Sequence, residues 1–321
     1  FKNNVPVPMT TAIVMSRNGN AITLDERLYR EGVRTLDDFK AVIQQTPDKV
    51  HTLGIVHATS MHNLMLRYWL ATSSIDPDEE VSLAVIPPAQ MVANLMGDNI
   101  DGFCTGDPWN ARAVYENEGF VIATDLDIWP GHPEKVLGVR EDWAQQYPQT
   151  HIALVKALLE ACEYCDDRRN REEILAMLCQ PQYVGSAPEY TRLGFIDPYP
   201  YVNGEDPKTL LRFNQFYVDQ GNYPRETESL WIMTQLARWG ITPFPRNWVE
   251  VLQRTHRVDV FREAARQLGF PMTEPNRSPF HLFDGKVFNP DDPIGYLNSF
   301  EIHRSIRIEE VMLDAIEQAR V

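Results

Sequence analysis

Apolar and polar residues follow two different rhythms along this chain. Between about residues 20 and 130, short apolar runs alternate with amphipathic stretches. "HTLGIVHA" (51–58), "VSLAVIPP" (81–88), "IDGFCTG" (100–106) and "FVIATDL" (120–126) read as strands. Between them, "TLDDFKAVIQQ" (35–45) reads as a capped amphipathic helix. Ser60 opens the helix "MHNLMLRYWLATS", and "AQMVANLM" follows two prolines. Asp107 and Pro108 supply an N-cap and first-position pair for "WNARAVYENEG". Strands and helices alternating at this spacing predict an α/β fold with βα units around a mainly parallel sheet.

Beyond residue 140 the period lengthens to that of helices. "REDWAQQYPQTHIALVKALLEACEYCDD", "REEILAMLC", "PKTLLRFNQFYVDQG", "ETESLWIMTQLARWG" and "VEVLQRTHRVDVFREAARQLG" all read as helical, several ending at glycine. The Pro/Gly-rich stretch "GKVFNPDDPIGYLNSFEIH" reads as a surface wrap. "PVPMTTAIVMS" (6–16) reads as a strand without neighbouring units of its own. This pattern predicts a chain that enters one lobe, crosses to a second, and returns near Lys135. The expected lobes are residues 1–22 with 131–321, and residues 23–130.

Charge narrows the function. The chain has 321 residues, 43% of them hydrophobic, and a formal net charge of −15. A basic face for nucleic acid or anionic membrane is therefore not expected. No apolar stretch is long enough to span a bilayer, and no signal peptide follows Phe1. The chain reads as a segment of a longer polypeptide. Cys162 and Cys165 have CxxC spacing but fall inside a helical pattern, without a second such pair, so no metal site is expected.

The candidate chemistry lies at strand-to-helix junctions, where open α/β sheets bind ligands. His62 falls in the first turn of a helix. There it either packs locally or adds an imidazole donor to a helix N-terminus that favours anions. Thr105 and Gly106 form a second junction, either an ordinary turn or a place where a ligand approaches the backbone. Pro87 and Pro88 shape the wall at a third. Asn20, in "SRNGNAI" (16–22), belongs to a plain turn or points its amide into a cleft. Lys135 precedes the apolar run Val136, Leu137, Gly138, Val139. It is either a solvated lysine at the start of a buried strand or the fixed positive charge for a small monovalent anion. No phosphate-binding or nucleophile-elbow motif is present, and no cofactor is expected. His57 and His62 lack a convincing carboxylate partner, which places an enzyme third among the readings.

"MLRYWLA", "PPAQMVANL", "GDPWNARAV", "WPGHPEKVLGVREDWAQQYP" and "LLRFNQFYVDQGNYPRETESLW" together resemble the nitrate-binding proteins of nitrate ABC transporters, a group close to the bicarbonate-binding proteins. The resemblance implies a two-lobe periplasmic-binding-protein type II fold, with the N-terminal part of the first lobe missing from this chain. It also implies that His62, Lys135, Asn20 (where the family has a glutamine), Thr105, Gly106 and Pro88 contact the ligand. A family tryptophan belongs to the missing stretch. Bicarbonate-type members resemble these but replace the lysine with a carboxylate that helps hold calcium, so Lys135 points to the nitrate type. The implied function is binding nitrate or nitrite as the solute-binding component of a transporter, with permease and ATPase subunits as partners, on the periplasmic side of the inner membrane. The alternative is a regulatory domain of the transporter ATPase subunit, or a cytoplasmic nitrate sensor.

Overall fold

The structure is a computed structural model that describes residues 7–272 and 279–313. Seven strands organise the site. They are β1 (Met9–Arg17), β2 (Asn20–Asp25), β3 (His51–Ile55), β4 (Val81–Val85), β5 (Gly102–Gly106), β6 (Gly119–Thr124) and β7 (Pro133–Arg140). A five-stranded sheet has the order β4-β3-β5-β2-β6. β3 runs parallel to β4 and β5, while β2 is antiparallel to both β5 and β6.

The expected strands at β1, β3, β4, β5 and β6 are present. β2 was not foreseen, because "NAITLD" is buried at every position and so shows no alternation. Ser60 caps helix Met61–Thr72 as expected, its side chain accepting from Asn63 N. Thr35 does the same for Leu36–Gln45 through a capping box. The expected Asp107 and Pro108 pair is shifted by one residue. The helix runs Trp109–Tyr115 with Pro108 as its cap, and the Asp107 carboxylate reaches over it to accept from Ala111 N at 3.0 Å.

β1 and β7 pair antiparallel in a separate two-stranded sheet. The chain thus leaves this pair through residues 17–20 and returns to it through residues 125–133. β7 was expected to be buried but is not. Val136 is 48% exposed, because β7 is hydrogen-bonded to β1 alone among the described strands.

Helices Glu141–Gln146, Pro148–Asp166, Arg171–Leu178, Glu226–Arg238, Trp248–Thr255 and Val258–Leu268 match the expected helical stretches. The stretch 207–221 does not form the helix its apolar spacing suggested. Lys208 bridges to Tyr199, and only Val218–Gln220 makes a 3-10 turn. Tertiary contacts take precedence over periodicity here. Phe213 is buried against Tyr199, and Gln215 exchanges backbone hydrogen bonds with Arg17.

The C-terminal stretch is also more than a surface wrap. Phe288, Tyr296 and Leu297 belong to the same buried cluster as Leu53, Tyr68 and Trp231. The Trp231 indole donates to the Tyr296 hydroxyl at 3.0 Å.

Candidate functional site

β3, β4 and β5 all end at one rim of the five-stranded sheet. Because β2 runs the other way, it begins at that same rim, with Asn20 opposite Gly106. His62 follows β3, Pro88 follows β4, and Asp125 follows β6. The rim therefore gathers the strand-to-helix junctions where ligands of open α/β sheets bind.

Three side chains meet there. Asn20, 2% exposed, donates from Nδ2 to Glu134 Oε2 at 2.7 Å. An ionised carboxylate only accepts, so this bond fixes which way the amide faces. Asn20 Oδ1 then accepts from His62 Nε2 at 2.9 Å, which places the His62 proton on Nε2. His62 Nε2 also lies 3.7 Å from Glu134 Oε1. Gly106 makes this approach possible, since a Cβ there would stand 3.3 Å from Asn20 Oδ1.

The Lys135 ammonium and His62 Nε2 both approach Glu134 Oε1, so a carboxylate stands between the expected cation and the expected imidazole. Glu134 turns inward with an 8% exposed side chain while its neighbour Lys135 is 60% exposed. The Lys135 ammonium binds Glu134 Oε1 from the solvent side. The charged residue at the mouth of β7 is thus the counter-ion of a buried carboxylate.

Burial pushes the His62 imidazole down to about 4 despite the nearby Glu134, so it is neutral at pH 7. Burial alone would raise the Glu134 carboxyl, but the positive charge of Lys135 beside it helps hold it below the usual glutamate range. The site therefore presents an ionised carboxylate, its external ammonium, a neutral imidazole and an amide. A cavity of about 410 Å³ opens beside it, with Met61, Pro133, Glu134, Val136, Ile232 and Met233 in its wall.

The remaining expected residues are arranged around this core. Thr105 faces the other side of the sheet, because its β2 partner Ala21 packs with Ala111 and Val114. Ile22 and Cys104 instead pack on the side of helix Met61–Thr72. Pro88 is half-buried and starts the 3-10 turn Pro88–Gln90 behind edge strand β4. His57 is exposed, its Nδ1 on the Thr59 hydroxyl at 3.0 Å. Cys162 and Cys165 lie on helix Pro148–Asp166 as free thiols. No cluster of three metal-ligating side chains occurs among the described residues, and no helix there is long and apolar enough to cross a membrane.

Sequence reasoning missed Glu134, Asp125 and His132. The signal was available for Glu134: in "HPEKV" only one of two adjacent charged residues in a strand can face inward. Nothing in the sequence marks Asp125 as His132's partner.

Residues 2–179 match the NMT1-like family. The chain belongs to this family. The NMT1-like chain is 59% identical to the nitrate import ATP-binding protein NrtC of Synechocystis sp., over 98% of this chain and 47% of that protein. It is 52% identical to the bicarbonate transport ATP-binding protein CmpC of Synechococcus elongatus, over 96% of this chain and 46% of that protein. It thus spans about half the length of these curated relatives. Among solved structures, the periplasmic nitrate-binding protein NrtA of Synechocystis superposes with a TM-score of 0.88 at 30% identity. That match covers 94% of this chain and 79% of NrtA. The fold is that of the periplasmic binding proteins, and the relatives it matches are components of transporters.

Proposed function

We propose that this NMT1-like chain is the C-terminal, binding-protein-like domain of an ABC-transporter ATP-binding protein. It senses a small oxyanion on the cytoplasmic side and does not deliver it from outside. One observation carries the choice. Identity is 59% to the ATP-binding protein NrtC but 30% to the periplasmic binding protein NrtA. This favours the regulatory reading over that of a solute-binding component. In this role the domain biases the transporter through its ligand, with no reaction at the bound anion.

The geometry supports a small planar oxyanion at the Asn20, His62 and Glu134 cluster. The Asn20 amide and the His62 Nε2 proton are directional donors, and rearrangement of their mutual bonds frees them for ligand oxygens. The Lys135 ammonium offsets the Glu134 charge, so a monovalent anion meets a locally neutral pair.

Glu134 favours a second reading of the ligand, hydrogen carbonate in place of nitrate. Hydrogen carbonate carries an O–H that donates to a carboxylate. Nitrate carries no proton and meets Glu134 only as a repulsive acceptor. The similarity to CmpC points the same way.

Calorimetric titration of the intact polypeptide with nitrate, nitrite and hydrogen carbonate tests both readings. Binding of at least one is expected, and silence with all three overturns the oxyanion reading. ATP hydrolysis by the assembled transporter, with and without the bound anion, tests the regulatory role. A rate indifferent to the anion would remove it.

A further inference from the structure

Asp125 and His132 lie just behind the cluster, and both are almost wholly buried at 3% and 0% exposure. Asp125 Oδ2 accepts twice, from the backbone N–H of Asn20 at 2.7 Å and from His132 Nε2 at 2.9 Å. The other ring nitrogen, Nδ1, faces the Pro133 carbonyl at 3.0 Å. The carbonyl only accepts, so Nδ1 carries a proton, and the Nε2 to Oδ2 contact shares one more proton between ring and carboxyl. His132 O in turn accepts from Asn18 N at 3.3 Å.

These contacts tie together the two segments by which the chain passes between its sheets. One carboxylate oxygen holds the first residue of β2 and the residue just before β7. Asn20 and Glu134, which face each other in the site, are carried by those same two strand starts. A buried ion pair is a poor source of net stability compared with apolar packing, and its best-attested use is to fix one arrangement over others. We propose that Asp125 and His132 are a positioning pair that sets Asn20 against Glu134 and thereby shapes the oxyanion site.

The pair touches no ligand itself, and its effect on binding passes through Asn20 and Glu134. The proposal rests on the oxyanion reading above, and its test separates the two. The charged and titratable groups around His132 are Asp125, Glu134 and His62.

In the wild-type polypeptide, a pH titration followed by NMR reads the His132 ring and the Asn20 amide together. The Asn20 N–H resonance is expected to move with the same midpoint as the His132 ring, and an Asn20 signal that ignores His132 overturns the proposal. Calorimetry on Asp125→Asn and His132→Gln is expected to show affinity for the bound oxyanion weakened by about tenfold or more. In an Asn20→Ala background the same substitutions should cost little further. Losses that simply add in that background would mean general loosening of the fold and would overturn the positioning role. A wild type that binds none of nitrate, nitrite or hydrogen carbonate refutes the oxyanion reading, and the NMR coupling then decides the pairing on its own.

Discussion

Asn20 Nδ2 donates to Glu134 Oε2 at 2.7 Å across the junction of β2 and β7. The two residues are far apart in the chain and belong to different sheets, yet Asn20 is the first residue of its strand and Glu134 the second of its own. The contact brings a buried carboxylate to the cluster, with the Lys135 ammonium on its other oxygen.

That arrangement separates two neighbouring substitutions. Glu134→Gln replaces an acceptor with a group that also donates. It should shift preference from hydrogen carbonate towards nitrate by about 1.5 kcal/mol or more, the scale of a hydrogen bond to a charged group. Lys135→Ala removes a largely exposed partner and should cost about 1 kcal/mol or less. Competitive calorimetry with the two anions measures both. Abolition of binding by Lys135→Ala alone would instead place the ammonium on the ligand.

His62→Ala removes the imidazole that faces Asn20 and should weaken oxyanion binding by about 1.5–3 kcal/mol. Because His62 is neutral when folded, its substitution should also change the acid response. A histidine held at about 4 contributes stability that is present above its unfolded value and lost as pH falls towards 4. Thermal melts at pH 7 and pH 4.5 should show wild type losing more stability than His62→Ala over that interval.

Asp107 predicts a slope of opposite sign. Burial raises its carboxyl to about 7, against the hydrogen bond from Ala111 N and the neighbouring Tyr199. A carboxyl raised in this way contributes stability below its unfolded value that is lost as pH rises to about 7. Asp107→Asn keeps an oxygen for Ala111 N and removes the titration. The variant should be more stable than wild type at pH 8 by an amount on the order of 2–4 kcal/mol, with the gap closing towards pH 4. Chemical denaturation at the two pH values checks this, and equal gaps would contradict it.

Leu297→Ala tests the role of the C-terminal stretch. Leu297 is fully buried in the cluster that contains Trp231 and Tyr68. Its truncation should cost about 2–5 kcal/mol, as for a core leucine and not a surface one. Urea unfolding measures the change, and a loss within 0.5 kcal/mol would return the stretch to the surface.

The sequence reveals most of the fold where local signals are strong. The caps at Thr35 and Ser60 and the amphipathic helices beyond residue 140 were legible because short-range chemistry sets them. β2 was not, because it lies between two other strands and buries Asn20, Thr23 and Asp25 along with its apolar residues. Residues 207–221 misled because apolar spacing counted residues that pack individually against Tyr199 or stay exposed, as Leu211 does at 73%.

The site was legible in part. His62, Asn20 and Gly106 were identified from their junctions, and the structure brings these three together. Lys135 and Glu134 differ by one position in a strand, and that step decides which one turns inward. The Asp125 and His132 pair joins a helix start to a strand start through tertiary contact alone, which no local pattern encodes.

The C-terminal stretch has one further effect, on the order of assembly. Tyr296 closes on Tyr68 and Trp231, groups separated from it by 228 and 65 positions along the chain. Contacts of such long range are entropically slow to form. While the chain emerges from the ribosome, the helix carrying His62 therefore lacks part of its apolar cover until Tyr296 has followed. The support beneath His62 is thus closed only once residue 296 is in place, and the Tyr68 and Trp231 rings stay partly uncovered until then.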